Sequence, residues 1–124
     1  MPKSIPVRDA IFSLARVPLV IAALTSGNLE RLSVLMDDRI HQPYRKELVR
    51  DYDLIASEAE KAGAAAVCLS GAGPTMLAVV QEQNAHQVAK AMKAVLDAAG
   101  VGSSPILTRP EMLGAVVTRP DSSN

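Results

Sequence analysis

The feature that most constrains the fold of this chain is a pair of short apolar runs separated by a glycine-containing turn. The runs span residues 64–69 and 76–80, and the turn between them reads Ser70-Gly71-Ala72-Gly73-Pro74-Thr75. Short apolar runs that are bounded by glycine and proline are typical of strands rather than helices. The sequence therefore predicts a strand, a tight connection and a second strand, against which the other elements must pack.

Helical patterns flank this pair of predicted strands on both sides, because apolar residues there recur every three or four positions. Each predicted helix opens at a polar residue that can cap it: Asp9, Asn28, Asp51 or Asp53, and Asn84. Pro18 is predicted to bend the first helix or to restart it, since proline lacks the amide hydrogen that a helix interior needs. Gly27 is predicted to end that helix.

Two further short strands are predicted at residues 105–108 and 113–118. Helices followed by strands around one crossover helix indicate an α+β fold. We expect a ferredoxin-like two-layer sandwich, in which an antiparallel sheet has helices packed on one face. Residues 1–119 would form this single domain, and residues 120–124 a frayed carboxy-terminal tail.

The composition excludes several classes of protein. Thirteen Lys and Arg balance thirteen Asp and Glu, so no basic field is present to attract nucleic acid. The longest apolar stretch, residues 17–24, is far shorter than the ~20 residues of a membrane span, and no membrane is expected as a partner. The single cysteine, Cys68, excludes a disulfide framework and suits a reducing compartment, so the cytoplasm is the expected location.

The turn at residues 70–75 is the first candidate binding element. Its two glycines allow left-handed backbone angles, and successive free amides in such a turn can form a nest for a phosphate or a carboxylate. The turn matches neither a Walker loop nor the dinucleotide-binding spacing. On the residues alone, a tight connection between strands with no ligand is an equally good interpretation.

The second candidate is the polar segment Asp37–Arg45, which lies between apolar helices. Arg45 can form two parallel hydrogen bonds with a substrate carboxylate, and the alternative is a solvated arginine at a helix end. His41 either makes a structural hydrogen bond or contacts the substrate. A lone histidine beside two aspartates is a poor metal signature, so no metal ligand is assigned.

Three segments together resemble a known family. Residues 69–78, reading LSGAGPTMLA, resemble the third conserved motif of the GHMP small-molecule kinases. Residues 5–12 (IPVRDAIF) and 38–45 (DRIHQPYR) resemble the homoserine kinase branch of that superfamily, in the same order and spacing. The fold that the resemblance implies is the carboxy-terminal domain of a GHMP kinase.

This resemblance implies ATP-dependent phosphorylation of the hydroxyl group of L-homoserine, with magnesium accompanying ATP. Arg45 would bind the homoserine carboxylate, and His41 would orient the segment that carries Arg45. The residues that would line the active site beside the phosphate loop are Ser70, Gly71, Ala72 and Gly73. The resemblance assigns no catalytic residue to this chain.

One departure from the family pattern limits what this chain would do alone. The Gly-Leu-Gly-Ser-Ser phosphate loop of the family occurs nowhere in these 124 residues. The amino-terminal ATP-binding domain is thus expected to be a missing partner that mainly holds ATP and magnesium, and the isolated chain is expected to be inactive. The chain would be an isolated domain, a split gene product or the result of a mispositioned start.

The family also allows a homodimer. Two alternative functions stay open. One is a stand-alone ferredoxin-like module that binds an amino acid or supports an oligomer. The other is a GHMP kinase that acts on a different small alcohol.

Overall fold

The computed structural model describes residues 2–117. Their order of elements is α1 (Val7–Leu14), α2 (Val17–Ser26), α3 (Leu32–Leu35), α4 (Gln42–Arg45), a 3₁₀ turn (Lys46–Leu48), α5 (Tyr52–Lys61), β1 (Ala64–Leu69), β2 (Met76–Val80), a second 3₁₀ turn (Glu82–Asn84) and α6 (Ala85–Ala98). Helices precede and follow one pair of strands, so the predicted α+β fold class is confirmed.

The two strands β1 and β2 lie where the two apolar runs predict them and pair antiparallel. Leu69 lies opposite Met76 at the end next to the turn, and Ala64 lies opposite Val80 at the other end. The register is irregular between Ala64 and Ala66. The glycine-containing turn therefore closes a hairpin, as the sequence predicts.

The sheet is narrower than the predicted sandwich. The stretches 105–108 and 113–117 were expected to be strands, and neither forms one. A strand needs a partner edge to satisfy its backbone, and within the described residues neither stretch makes a backbone hydrogen bond to β1 or β2. Ile106 is 85% exposed and Val117 is 88% exposed. Residue 118, the domain limit at 119 and the tail 120–124 lie outside the described residues.

The hairpin contributes to two apolar clusters. One cluster joins Ala66 to Ala23 of α2 and Leu32 of α3. The other joins Leu69 to Ile55 of α5. Since successive side chains of a strand point to opposite faces, residues 66 and 69 lie on different faces of the sheet. Helices α2 and α3 thus pack against the side of the hairpin that carries Ala66, and α5 packs against the side that carries Leu69.

The first predicted helix is divided as Pro18 requires. Helix α1 ends at Leu14, and Pro18 lies in the first turn of α2, where its missing amide hydrogen has no intrahelical partner to lose. Gly27 ends α2 in a left-handed conformation, as predicted. Asp9 is not the cap of α1, because the helix already begins at Val7 after Pro6 and Asp9 lies in its first turn.

Three other predicted caps have mixed outcomes. Asn28 does not cap α3, which begins at Leu32; the Asn28 Oδ1 instead accepts a hydrogen bond from the Glu30 amide at 3.3 Å. Asp51 and Asn84 occupy the predicted positions before α5 and α6, although neither side chain makes a capping hydrogen bond. Both of these helices are held by tertiary packing, since α5 contacts both α6 and β1.

Apolar side chains on the outside of α1 and α2 are exposed. Val7 is 74% exposed, Leu14 65% and Ile21 57%. These side chains give the outside of both helices an apolar character. Within residues 2–117, no helix is both long enough and apolar enough to cross a membrane.

Candidate functional site

The carboxylate of Asp38 organises the entry into α4. Its Oδ1 accepts the backbone amide of Ile40 at 2.7 Å, and its Oδ2 accepts those of His41 at 2.9 Å and Gln42 at 2.8 Å. The Ser13 hydroxyl donates a further bond to Oδ1 at 3.3 Å. Partial burial acts to raise the pKa of Asp38, but these hydrogen bonds outweigh it and hold the pKa below its ordinary value. Asp38 is therefore an ionised cap of α4.

Helix α1 holds the loop that carries Asp38. The guanidinium carbon of Arg16 lies 3.3 Å from the ring centroid of Phe12, and that of Arg39 lies 3.5 Å from the same centroid. Two planar groups at these distances overlap unless they lie on opposite faces, so the ring is stacked between two cations. Arg39 also pairs with Asp9 at 3.5 Å, and its amide donates to the Ser13 hydroxyl at 3.0 Å.

Arg45 is the last residue of α4, and His41 immediately precedes the helix. Among the described residues, Arg45 forms no ion pair with a carboxylate. Its Nε is buried and has no hydrogen-bond partner. The charge of Arg45 is thus uncompensated by this part of the chain, which suits a group that receives an external anion. The imidazole of His41 makes no hydrogen bond within residues 2–117, whereas its backbone amide donates to Asp38 and its carbonyl accepts the Tyr44 amide at 3.2 Å.

Gln42 connects α4 to the strand that leads into the glycine turn. Its side-chain oxygen accepts hydrogen bonds from the Tyr52 hydroxyl at 2.9 Å and from the Leu69 amide at 3.1 Å. Leu69 is the last residue of β1 and directly precedes Ser70. Gln42 thus joins α4, the helix that carries Arg45, to the end of β1. That end of β1 directly precedes the glycine-containing turn.

The turn from Ser70 to Thr75 is held by its own backbone. The Ser70 amide donates to the Thr75 carbonyl at 2.8 Å, and the Gly73 amide donates to the Ser70 carbonyl at 3.1 Å. Gly71 and Gly73 have positive φ angles of 58° and 79°. Within the described part of the chain the amides of Gly71 and Ala72 have no acceptor, and both residues are exposed. Two free, adjacent donors can bind an anion.

Two of the residues that build this site were missed by sequence reasoning. The role of Gln42 has no sequence signal, because its partner Leu69 lies 27 positions away. The role of Asp38 has one: an acidic residue a few positions before a proline in the first turn of a helix is a capping pattern. The Phe12 stack likewise joins residues that only the tertiary fold brings together.

Other features of the described residues carry less chemistry. Residues 2–117 contain no group of three or more His, Cys, Asp or Glu that could hold a metal ion. Two open grooves, of about 580 and 590 Å³, are lined by neither Arg45 nor the glycine turn. Burial raises the pKa of the Cys68 thiol, so it remains protonated at neutral pH and acts as a small apolar side chain.

Residues 20–98 match the GHMP kinases C terminal family. The match includes the Asp38–Arg45 segment, both strands and α6. Both parts of the candidate site thus fall within the matched region.

Curated relatives and a solved structure are similar to the chain as well. A homoserine kinase of Crocosphaera subtropica is 46% identical over 93 residues, covering 75% of this chain and 30% of the relative. One of Picosynechococcus is 38% identical over 117 residues, covering 94% of this chain and 38% of the relative. The crystal structure of homoserine kinase from Cytophaga hutchinsonii superposes with a TM-score of 0.75 at 29% identity, covering 82% of this chain and 33% of that one. The chain therefore spans about a third of the length of the proteins it matches.

Proposed function

We propose that this chain forms the carboxy-terminal domain of an enzyme that phosphorylates L-homoserine, since the chain belongs to the GHMP kinases C terminal family. The observation that carries the proposal is the sequence identity of 38–46% to relatives named homoserine kinase, over regions that contain both parts of the site. The resemblance of three separate segments to that branch supports the same function.

In the proposed reaction, the homoserine hydroxyl oxygen attacks the γ-phosphorus of ATP, and the bond from that phosphorus to the β,γ-bridging oxygen breaks. The products are O-phospho-L-homoserine, ADP and the proton of the hydroxyl group. Such transfers depend mainly on positioning and on stabilisation of charge. The role of this chain is therefore to hold the acceptor and to border the phosphates, and none of its residues is assigned as a catalytic base.

Arg45 is the proposed ligand of the substrate carboxylate. Its guanidinium has no carboxylate partner among residues 2–117, and α4 is fixed rigidly at its start by Asp38. A pre-positioned arginine binds a carboxylate with two parallel, charge-assisted hydrogen bonds. His41, whose imidazole is unbonded in the same part of the chain, is the proposed neighbour of that carboxylate.

The turn Ser70–Gly73 is the proposed support for the phosphate loop. Its two free amides, at Gly71 and Ala72, can donate to phosphate oxygens without a lysine. The described residues hold no cluster that fits a metal, so the proposal assigns magnesium and most of the ATP contacts to an amino-terminal domain. The exposed apolar surface on α1 and α2 supports a partner of that kind.

The remaining proposals concern partners and location. We propose that residues 1–119 form the domain and that the protein also assembles as a homodimer. We propose the cytoplasm as its location, because a lone buried thiol suits a reducing compartment. The stand-alone binding module is not favoured, because it does not account for the similarity to a third of a larger kinase. A GHMP kinase acting on another alcohol stays the second candidate in the test below.

The test is a chimaeric enzyme in which this chain replaces the aligned carboxy-terminal segment of the Crocosphaera subtropica homoserine kinase. We expect ADP release that depends on L-homoserine, with O-phospho-L-homoserine detected by ³¹P NMR. This chain alone and the truncated relative alone serve as controls and should both be inactive. A folded chimaera that turns over another small alcohol but not homoserine would support the second candidate, and one that turns over none would refute both.

A further inference from the structure

Gln42 occupies a position between the two parts of the candidate site that neither the family match nor the proposed chemistry assigns. Its backbone amide is bound by Asp38 at 2.8 Å, so the residue is fixed at the start of α4. Its side-chain oxygen is bound by Tyr52 and Leu69, at 2.9 and 3.1 Å. The main chain of Gln42 is thus fixed to the loop that carries Asp38, and its side chain is fixed to α5 and to β1.

The hydrogen bond that the Leu69 amide donates to Gln42 lies on the edge of β1 that has no partner strand among the described residues. The neighbouring Ser70 amide pairs across the hairpin with Thr75. In an antiparallel pair, successive amides point alternately towards the partner strand and away from it. The Leu69 amide therefore points to the open edge of β1, and the Gln42 oxygen satisfies the last donor of that edge before the turn.

Arg45 lies three residues beyond Gln42 in the same short helix. A helix of one turn has little stability of its own, so its placement depends on tertiary contacts. The contacts that α4 makes with β1 are the ones that determine the position of Arg45 relative to the turn.

We propose that Gln42 is a positioning residue for the reaction, which sets the distance between the Arg45 guanidinium and the Ser70–Gly73 turn by joining α4 to the open edge of β1. This inference rests on the proposed function for its kinetic consequence. The joint itself is independent of that function and is testable without activity.

Hydrogen exchange of the Leu69 amide tests the joint in the 124-residue chain labelled with ¹⁵N-leucine. Gln42→Leu preserves the size of the side chain and removes its acceptor, and we expect the Leu69 amide to exchange at least about tenfold faster, as loss of roughly 1.4 kcal/mol would require. Gln42→Glu keeps an acceptor oxygen at the same reach and should preserve the protection. The matched control is Gln87→Leu, which alters an exposed glutamine on α6.

If Gln42→Leu does not fold, Gln42→Asn replaces it, because the shorter side chain cannot reach Tyr52 and Leu69 from the same backbone position. Faster exchange at Leu69 in either variant, with unchanged exchange in Gln87→Leu, supports the joint. Unchanged exchange at Leu69 in a folded Gln42→Leu or Gln42→Asn variant would overturn it.

The kinetic test uses the chimaeric enzyme. Gln42→Leu should raise the KM for homoserine about tenfold and change kcat less than about threefold, since it displaces a binding group rather than the phosphates. If Gln42 had only a structural role, its substitution would reduce the fraction of folded, active enzyme. The apparent kcat would then fall, and KM would stay unchanged. Gln42→Glu should restore KM to within about threefold of the unmodified chimaera.

A double substitution decides whether Gln42 acts through Arg45. In an Arg45→Ala background, Gln42→Leu should raise KM by less than about twofold more, because the group that it positions is already gone. A further tenfold rise in that background would overturn the positioning role. An inactive unmodified chimaera would refute the proposed function, and the exchange experiment would then still confirm or refute the joint.

Discussion

The segment from Asp38 to Arg45 and the turn from Ser70 to Thr75 are both parts of the candidate site, yet they are held in different ways. Side chains fix the first: the Asp38 carboxylate accepts three backbone amides, and the Gln42 oxygen accepts two donors. Backbone angles and two main-chain hydrogen bonds fix the second. The first should therefore respond to changes in side-chain chemistry, and the second to changes in the allowed φ angles.

The largest expected effect is that of Arg45→Ala on substrate binding. Loss of a charge-assisted pair with a carboxylate removes about 1.5–3 kcal/mol, so the KM of the chimaeric enzyme for homoserine should rise roughly 10- to 150-fold. The KM for ATP should change little, because the turn is untouched. Steady-state kinetics with each substrate varied in turn measure both effects.

Two variants sharpen that result. Arg45→Lys keeps the charge but not the planar fork, so it should recover only part of the lost affinity. Arg50→Ala removes an arginine whose side chain is 70% exposed and should leave both KM values unchanged. An Arg45→Ala enzyme with the original KM for homoserine would remove Arg45 from the carboxylate site.

The next effect is on stability, through Asp38. Asp38→Ala frees three backbone amides and should lower the free energy of unfolding at pH 7 by about 2 kcal/mol, at the upper end of the range for helix caps. Urea unfolding followed by circular dichroism measures it. Asp37→Ala is the matched control, since that neighbouring side chain is exposed and accepts none of these bonds. An equal loss in both variants would contradict the capping role.

The pH dependence of the stability that Asp38 contributes has a defined sign. Since the pKa of Asp38 is lower in the folded chain than the ordinary value of about 3.9, the carboxylate contributes stability above that value and loses it as the pH falls through the folded pKa. The difference in unfolding free energy between the unmodified chain and Asp38→Asn should be full at pH 7 and should shrink below about pH 4. A difference that grows towards low pH would contradict this assignment.

The next expected effect concerns the turn. Gly71 has a φ of 58°, and a Cβ built there would meet no atom within 4 Å. The cost of Gly71→Ala is therefore the backbone strain of a left-handed L-residue, about 1–2 kcal/mol of unfolding free energy. Gly71→Asn should cost less, because asparagine tolerates this conformation better.

Gly102 gives the matched control for that experiment. It also has no atom within 4 Å of a built Cβ, but its φ is outside the left-handed region. Gly102→Ala should leave the unfolding free energy unchanged or raise it slightly. Equal effects at the two glycines would show that the left-handed φ angle does not determine the cost of substitution in the turn.

The same contrast explains how much could be predicted from sequence. The hairpin, the turn and the restart of the helix at Pro18 depend on local residue types, and they were predicted correctly. Strands at 105–108 and 113–118 were not, because an apolar run becomes a strand only where an edge is free to pair with it. In the site, Arg45 and the glycines of the turn can be identified from the sequence, because their residue types alone indicate anion binding and a tight turn. The joint through Gln42 is not, since hydrogen-bond partners 27 positions apart leave no local pattern.

The smallest expected effect separates the two hydrogen bonds that Gln42 accepts. Tyr52→Phe removes one donor and keeps the ring, so the unfolding free energy at pH 7 should fall by about 1 kcal/mol, while the Leu69 amide keeps its acceptor and its protection from exchange. Burial, followed by the charges of Cys68, Asp53 and Glu60, raises the pKa of the Tyr52 hydroxyl above its ordinary value.

An alkaline titration tests whether the Tyr52 hydroxyl is buried. A raised pKa in the folded chain means that the contribution of Tyr52 is complete below about pH 10 and is lost as the pH rises through the folded pKa. The Tyr52→Phe variant should therefore lose less stability than the unmodified chain as the pH rises above about 10. Tyr44→Phe removes the other tyrosine, so absorbance at the tyrosinate band then reports Tyr52 alone. If Tyr52 titrates at its ordinary value in that background, its hydroxyl is solvated and the burial seen in this structure is contradicted.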